Sequence, residues 1–220
     1  ISDLHGDMNA PAMSRVSALL KDLSCDLCVM TGDFRGSTSG PHEEAVAAVA
    51  ALMPVIQAPV LGVLGNHDTV RMVPALEALG MRILMNEAEV FERAGQRIHV
   101  AGVDDAHFYR AENIEKAAQD IPAESFSILL THTPEIYRQA AHAGFDLLLS
   151  GHTHGGQICL PGGLPLTLDA SCPRYMGSGS WQYHTMQGYT SVGSGTSIVD
   201  VRLNCPPEVT LHRLHRSTTA

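Results

Sequence analysis

Apolar and polar positions along the first two thirds of the chain form two alternating patterns. Short apolar runs are typical of buried strands, and an apolar residue at every third or fourth position is typical of a helix. The runs predict strands near residues 27–30, 60–64, 98–103, 126–130 and 146–149. The helical spacing predicts helices near residues 10–23, 41–53, 70–79, 112–119 and 133–142. Strands that alternate with helices indicate an α/β fold.

The remaining segments show a different pattern. Residues 82–84 and 88–94 resemble strands, and Gly95-Gln96 is typical of a hairpin turn, so we expect antiparallel additions there. After Gln157 the chain is rich in glycine and serine. Short alternating runs in this part predict strands at residues 189–192, 197–201 and 209–214, and a long loop at residues 161–188. No linker divides the chain, so we expect a single domain over residues 1–220.

Composition argues against two classes of function. With 220 residues, 45% of them hydrophobic, the chain can bury a substantial core. Its net charge is −9, and its few lysines and arginines form no basic cluster, which argues against a nucleic-acid groove. No apolar run approaches the roughly 18 residues that cross a bilayer, so we expect no transmembrane segment. Nothing in the sequence indicates the oligomeric state.

The cysteines and the first residues bear on the location of the protein. Five cysteines are an odd number, which argues against a complete set of disulfides. Cys25 and Cys28 have the spacing of a redox or zinc pair, but Cys28 lies in an apolar run, so we interpret it as a packing residue. Residues 1–3 resemble the end of a strand whose start is missing. A targeting segment could therefore precede them, and a location in the cytoplasm or at the membrane surface stays open.

Five predicted strands end in residues that can bind metal ions. These residues are Asp3, His5, Asp33, Asn66, His132, His152 and His154. The carboxyl ends of strands in an open α/β sheet border one crevice, so we expect the seven side chains to converge. Two carboxylates, one amide oxygen and four imidazoles are too many ligands for one tetrahedral ion, but they suit two ions that share a carboxylate. Mixed nitrogen and oxygen donors favour manganese, iron, zinc or cobalt, and manganese is our first choice.

These residues occur in motifs that resemble a known family. The motifs are Asp3-Leu4-His5, Gly32-Asp33, Gly65-Asn66-His67-Asp68, His132 and Gly151-His152-Thr153-His154. In this order they resemble the five signature blocks of the calcineurin-like metallophosphoesterases. The resemblance implies a four-layer α/β/β/α sandwich, in which helices flank two mixed β-sheets and the metal site lies at the carboxyl ends of the strands.

The resemblance also implies a role for each motif residue. Asp3, His5 and His154 would hold one metal ion, Asn66, His132 and His152 would hold the second, and Asp33 would bridge them. His67 resembles the family's catalytic histidine, which stabilises the transition state or protonates the leaving oxygen, and Asp68 would orient it.

Further motifs resemble one bacterial branch of the family. They are Gly155-Gly156-Gln157, Gly102-Val103-Asp104-Asp105 and Pro207-Glu208. Members of that branch include membrane-associated phosphodiesterases that act on lipid-linked or nucleotide-sugar substrates. The substrate implied for this chain is a small-molecule or lipid-linked phosphate ester.

Three residues near the motifs have open roles. Gly36 stands where the family often has an aspartate. Its absence puts in question the hydrogen bonds that would orient the metal ligands, but not metal binding itself. Arg35 could reach a substrate phosphate or be a solvated loop arginine. Asp7 could support the metal ligands or act as a carboxylate at the start of a helix.

Two further groups of residues could lie near the site. The first group could line a pocket beside the metals or pack the long loop onto a sheet, and comprises Tyr175, Met176, Trp181, Tyr183 and His184. The second group comprises Asp104, Asp105 and His107. These residues could face the site, or they could form a turn, which is the commoner role of an aspartate pair.

The sequence therefore predicts an enzyme that hydrolyses a phosphoric ester. We expect a phosphodiester or pyrophosphate bond to be attacked by a hydroxide that bridges two metal ions, with His67 assisting the leaving group. Hydrolysis of a phosphomonoester is the alternative reaction. A metal-binding scaffold without catalytic activity, which serves protein interaction, is the alternative from another class.

Overall fold

The computed structural model describes residues 1–215. The helices are α1 (Ala10–Lys21), α2 (Glu43–Leu52), α3 (Val73–Ala78), α4 (Ile114–Ala118) and α5 (Tyr137–His142). The strands are β1 (Cys28–Met30), β2 (Val60–Gly62), β3 (Met81–Ile83), β4 (Glu87–Arg93), β5 (Gln96–Gly102), β6 (Ser127–Leu130), β7 (Leu147–Ser150), β8 (Cys159–Leu160), β9 (Leu164–Pro165), β10 (Gly179–Tyr183) and β11 (Met186–Thr190). The predicted helices and the five main strands are confirmed.

The strands form two large sheets and one small hairpin. Six strands lie in the order β10-β11-β7-β6-β5-β4, with parallel pairing from β11 to β5 and antiparallel pairing at both edges. Three strands form a second sheet, β1-β2-β3, which is parallel throughout. Strands β8 and β9 pair with each other. The larger sheet is mixed, as expected, whereas the smaller one is not.

Three apolar clusters show how the layers stack. One cluster lies between the three-stranded sheet and helices α1, α2 and α3. A second lies between the six-stranded sheet and helices α4 and α5. The third joins the sheets to each other, and alternate residues of one strand divide between clusters: Leu148 faces the helices, whereas Leu147 and Leu149 face the other sheet. The molecule is therefore an α/β/β/α sandwich, as predicted.

Several local predictions are wrong. Strand β3 pairs in parallel with β2 instead of being an antiparallel addition, whereas β4 does form the expected hairpin with β5. The predicted loop at residues 161–188 contains strands β9 and β10 and the start of β11. No strand forms at residues 197–201 or 209–214 of the described chain, although a single bridge joins Ile158 to Leu203. The alternating apolar residues of these two segments lie on irregular backbone and not on the pleated backbone of a strand.

The packing role predicted for Cys28 is confirmed by its burial, and an asparagine caps the first helix. The Asn9 side chain caps α1 by accepting a hydrogen bond from the backbone amide of Ala12 at 2.8 Å. Cys28 is buried in the cluster behind the three-stranded sheet, and all five cysteines are free thiols. Among the residues that the structure describes, no helix has the length and apolar character needed to cross a membrane.

We predict that the second cluster contributes strongly to stability. Leu148 is completely buried, so Leu148→Ala should lower the free energy of unfolding by about 2–5 kcal/mol in urea denaturation, because it leaves a cavity. Leu164→Ala is the matched control, since Leu164 is more than half exposed, and should change stability by less than about 1 kcal/mol. Equal effects of the two substitutions would contradict the assigned layers.

Candidate metal centre

The seven predicted ligands lie together at the carboxyl ends of strands from both sheets. Asp33 and Asn66 follow β1 and β2, and His132 and the two histidines of the Gly151-His152-Thr153-His154 motif follow β6 and β7. The first residues of the chain run beside β1, where the amide of Thr31 donates a hydrogen bond to the carbonyl of Ile1. All seven side chains are buried. The convergence expected from the strand order is therefore found.

One group of potential ligands comes from the first residues and the last motif. Single donor atoms of Asp3, His5 and His154 lie within 4.8 Å of one another. The Nε2 atoms of His5 and His154 are 3.1 Å apart, and Nε2 of His154 is 3.5 Å from Oδ1 of Asp3. These are the three residues that the family resemblance assigns to one ion.

A second group lies beside the first. Donor atoms of Asp33, His132 and His152 lie within 4.8 Å of one another. Nε2 of His132 is 3.2 Å from Nδ1 of His152 and 2.9 Å from Oδ1 of Asn66. The other ring nitrogen of His132 lies 2.8 Å from the carbonyl of Thr31, to which it can donate its proton. That bond leaves Nε2 of His132 free to face the rest of the group.

The Asp33 carboxylate lies between the two groups. Its Oδ2 atom is 3.7 Å from Nε2 of His5 in the first group and 3.3 Å from Nε2 of His132 in the second. Its Oδ1 atom accepts a hydrogen bond from the backbone amide of His67 at 2.9 Å. One carboxylate oxygen is therefore close to both groups.

The spacing of these atoms suits divalent cations. Ligands that each lie about 2.1 Å from one ion are separated from one another by roughly 3–4.2 Å in tetrahedral or octahedral geometry. The separations within each group, from 2.9 to 3.5 Å, lie at or close to that range. The donors are nitrogen and oxygen without thiolate, so the residues present could hold two transition-metal ions.

Burial keeps three of the imidazoles in their metal-binding form. Burial lowers the pKa of His5 to about 4. It also lowers the pKa values of His152 and His154 to about 3, assisted by the positive charges of His132 and Arg202 respectively. These rings are therefore neutral near pH 7, and a neutral imidazole has a lone pair for a metal ion.

Asp33 and His132 form a buried ion pair. Burial alone would raise the pKa of Asp33, but the charge and hydrogen bond of His132 outweigh it and lower that pKa well below its usual range. Burial likewise opposes a charge on His132, but Asp33 raises the pKa of this imidazole to about 10. A proton on His132 thus compensates the carboxylate, and a bound cation could take over that role.

Most of the candidate ligands have strained backbone. Positive φ angles occur at five of the seven, namely Asp3, His5, Asp33, His152 and His154. This left-handed region is uncommon for residues other than glycine, and it is frequent where structure is held in place for function. The two histidines of the last motif lie after the end of β7, in a turn where both have positive φ.

His67 is held differently from the prediction. Its ring is partly exposed, with Nε2 3.9 Å from Oδ2 of Asp33 and Nδ1 2.9 Å from the hydroxyl of Thr38. Asp68 makes no hydrogen bond to this ring within the described chain. Its carboxylate accepts hydrogen bonds from the backbone amides of Phe34, Arg35 and Gly65 instead. Asp68 thus holds the backbone around Asp33, and its expected role in orienting the His67 ring stays a prediction.

Arg35 fits neither of its predicted roles. It is only 3% exposed, and its guanidinium donates hydrogen bonds to the carbonyls of His67, Thr38 and Gly40. It is therefore a structural arginine that ties the loop after Asp33 to the His67 segment. Asp7 acts similarly, since its carboxylate accepts a hydrogen bond from the amide of Gly36 at 2.7 Å.

Most residues of the two groups that could lie near the site have structural contacts instead. Met176 and Trp181 are buried in the cluster beneath the helices, and Tyr183 packs edge-on against Tyr137, whereas Tyr175 is exposed. Asp105 is completely buried and accepts hydrogen bonds from the amides of the three residues His107, Phe108 and Tyr109. Its neighbour Asp104 accepts one from the amide of Asp105.

The structure also brings His107 to the site. The centroids of the His107 and His152 rings are 4.1 Å apart, and Nδ1 of His107 is 2.9 Å from the carboxylate of Glu135. This hydrogen bond raises the pKa of His107. The other nitrogen of His152, Nε2, is buried and has no hydrogen-bond partner among residues 1–215. Single donor atoms of Asp169, His107 and His152 lie within 4.8 Å of one another. Sequence reasoning missed Glu135, although it lies three residues after His132.

Arg202 is a second residue that sequence reasoning missed. Its guanidinium lies 3.1 Å from Nδ1 of His154 and donates hydrogen bonds to the carbonyls of Val192 and Gly195. It directly follows residues 197–201, the irregular segment that was expected to be a strand. No motif indicated it, because the contact joins residues 48 positions apart.

We predict that Gly65 is essential for the centre. A Cβ atom at this position would overlap the Asp33 carboxylate and backbone, so Gly65→Ala should displace Asp33. The expected result is loss of at least half of the manganese bound per chain, measured by elemental analysis. Gly80→Ala is the control, because a Cβ there meets no atom within 4 Å, and the positive φ of Gly80 adds backbone strain far from the Asp33 carboxylate. Full metal content in Gly65→Ala would contradict the expectation that a side chain at this position displaces Asp33.

Comparisons with known proteins agree with this geometry. A family model described as calcineurin-like phosphoesterase matches residues 1–156. The uncharacterized metallophosphoesterase YkoQ of Bacillus subtilis is 31% identical over 227 residues, covering 97% of this chain and 82% of YkoQ. Phosphodiesterase YaeI of Escherichia coli is 28% identical over 230 residues, covering 97% of this chain and 80% of YaeI.

A solved structure supports the fold. The crystal structure of the phosphopantetheinyl hydrolase PptH of Mycobacterium tuberculosis matches with a TM-score of 0.51 and 12% identity, covering 86% of each chain. At this identity the similarity concerns the fold alone. Because the family model covers more than half of the chain and YkoQ aligns along nearly all of it, the chain belongs to the calcineurin-like phosphoesterase family and is a metal-dependent phosphoesterase.

Proposed function

We propose that the chain hydrolyses a phosphodiester or pyrophosphate bond at two divalent metal ions. Asp3, His5 and His154 would hold one ion, Asn66, His132 and His152 would hold the other, and Asp33 would bridge them. The observation that carries this proposal is the position of one Asp33 oxygen, 3.7 Å from Nε2 of His5 and 3.3 Å from Nε2 of His132. A carboxylate shared by two ligand groups is the usual arrangement for paired ions.

The ions and the protein would divide the chemistry between them. Bound divalent ions would supply an activated water and neutralise charge on the phosphoryl oxygens. His67 would donate a proton to the leaving oxygen, since its Nε2 points towards Asp33 and its ring is accessible. Thr38 would keep the ring in that orientation through its hydrogen bond to Nδ1.

The name of one relative favours hydrolysis of a phosphodiester over hydrolysis of a phosphomonoester. YaeI, which aligns with 97% of this chain, is named a phosphodiesterase. The substrate would be a small-molecule or lipid-linked phosphate ester. The mixed nitrogen and oxygen ligands suit manganese, iron, zinc or cobalt, and manganese is our first choice for reconstitution.

We predict that activity depends on two bound ions. Chelation should abolish hydrolysis of bis(4-nitrophenyl) phosphate, and added manganese should restore it, because the ions provide the activated water. His152→Ala and His154→Ala should each lower the manganese content from about two ions per chain to about one, since each histidine belongs to one ligand group. Fewer than one ion per wild-type chain in elemental analysis would contradict the paired site and favour a scaffold.

We predict a different result at His67. His67→Ala should lower kcat for bis(4-nitrophenyl) phosphate by about 10²–10³-fold, which is typical for loss of a general acid, while both ions remain bound. His184→Ala is the matched control, because His184 is an exposed histidine on the turn between β10 and β11. Undiminished kcat in His67→Ala would rule out the assigned role, and loss of metal would make His67 a structural residue.

A further inference from the structure

The two ring nitrogens of His152 differ in their surroundings. The Nδ1 atom lies 3.2 Å from Nε2 of His132, within the second ligand group. The Nε2 atom is buried and has no hydrogen-bond partner among residues 1–215. A neutral imidazole carries one proton, so Nε2 would hold it whenever Nδ1 gives its lone pair to an ion. A buried N–H group without an acceptor is destabilising, and the second ion would therefore need an acceptor beside His152.

Two side chains outside the two ligand groups lie beside the His152 ring. Single donor atoms of His107, His152 and Asp169 lie within 4.8 Å of one another. The His107 ring lies over the face of the His152 ring, with centroids 4.1 Å apart and planes inclined by 46°. An imidazole N–H group points outward in the plane of its own ring, so a ring over the face is not aligned to accept its proton. This geometry favours the Asp169 carboxylate as the acceptor.

The Asp169 carboxylate has no other partner in the described part of the chain. Its residue is exposed, and it forms no hydrogen bond or ion pair with any of residues 1–215. A hydrogen bond to an ionised carboxylate is stronger than one between neutral groups. Histidines that bind a metal ion commonly donate their second N–H to a carboxylate, which fixes the tautomer and the orientation of the ring. Asp169 has the chemistry of such a partner.

Glu135 holds the segment that carries Asp169. One oxygen of the Glu135 carboxylate accepts a hydrogen bond from the backbone amide of Ser171 at 2.6 Å, and the other lies 2.9 Å from Nδ1 of His107. Ser171 is two residues after Asp169, and Glu135 is three residues after His132. The segment is therefore fastened beside the second ligand group. Because the Asp169 side chain is exposed, its rotation can bring the carboxylate into hydrogen-bond distance of His152.

We infer that Asp169 is a positioning residue for the second metal ion: its carboxylate accepts the Nε2 proton of His152 and keeps Nδ1 directed at the ion. The inference rests on the proposed assignment of His152 to that ion and extends it beyond the ligands. Asp169 touches neither the ion nor the substrate, so it affects the reaction only through His152. The unpaired buried nitrogen of His152 thereby gains a partner.

Stepwise metal binding tests the inference. In calorimetric titrations of the metal-free protein with manganese, Asp169→Ala should weaken binding of the second ion by about 10–100-fold and change the affinity for the first ion by less than about threefold. Asp169→Asn should recover most of the loss, because its amide oxygen still accepts the proton although the charge is gone. Asp120→Ala, which removes another exposed aspartate, is the control and should bind both ions like the wild type.

The same titrations can overturn the inference. Equal losses in Asp169→Ala and Asp169→Asn would show that only the negative charge matters, and unchanged binding in both would show that neither the charge nor the hydrogen bond does. A third ion per wild-type chain that Asp169→Ala loses would make the carboxylate a metal ligand instead of a positioning group.

Nitrogen-15 spectra of labelled histidines give a readout that a merely structural role would not move. Zinc is the probe here, because it is diamagnetic, and His152→Ala identifies the signal of His152. The Nε2 proton of His152 should exchange slowly with water in the zinc-loaded wild type and faster in Asp169→Ala, since it loses its acceptor. Equal exchange in the two proteins would overturn the inference.

Metal content separates this inference from the proposed function. A wild type that binds two ions but hydrolyses no phosphate ester would refute the proposed function, yet selective loss of the second ion in Asp169→Ala would still support the role of Asp169. A wild type that binds fewer than two ions would refute both.

Discussion

The arrangement of the centre depends on the Asp33 carboxylate. One of its oxygens lies near histidines of both ligand groups, and the other accepts the backbone amide of His67. Asp33 has a positive φ angle, and the absence of a side chain at Gly65 leaves room for its carboxylate. Asp68 supports the same arrangement from behind, because it holds the amides of Phe34 and Arg35, which follow Asp33. A change at any of these positions therefore reaches both ligand groups.

The strained ligand backbone is held by the two sheets together. The amides of Asp3 and His5 donate hydrogen bonds to the carbonyls of Gly32 and Asp33, beyond the end of β1. The amide of Gly195, from the segment that follows β11, donates to the carbonyl of Asp3, and Arg202 from the same part of the chain contacts His154. Strain of about 1–3 kcal/mol per residue persists only where surrounding contacts compensate it. The sandwich and the segment after β11 supply these contacts around the ligands.

The differences between expectation and structure share a cause. Arg35 was expected to reach a phosphate or solvent and Asp68 to orient His67, yet Arg35 is buried and Asp68 accepts hydrogen bonds from backbone amides, because the loop after Asp33 folds onto the His67 segment. Residues 197–201 alternate in polarity like a strand, but the Gln157 side chain forms hydrogen bonds with backbone groups of that segment, and no strand in the described part of the chain pairs with it. Local pattern predicts which backbone can form, whereas pairing depends on segments that are distant in sequence.

The sequence by itself determined the α/β class of the fold and the seven candidate ligands, and its resemblance to a family implied the four layers. The class and the ligands follow from local features: the period of the apolar residues places the strands, and the polar residue directly after each strand lies at its carboxyl end. Only the tertiary structure decided which side chains contact these ligands and the histidines beside them. The contacts of His67 with Thr38, His107 with Glu135 and Arg202 with His154 join residues 28 to 48 positions apart. Such contacts form through space between side chains, and no spacing along the chain encodes them.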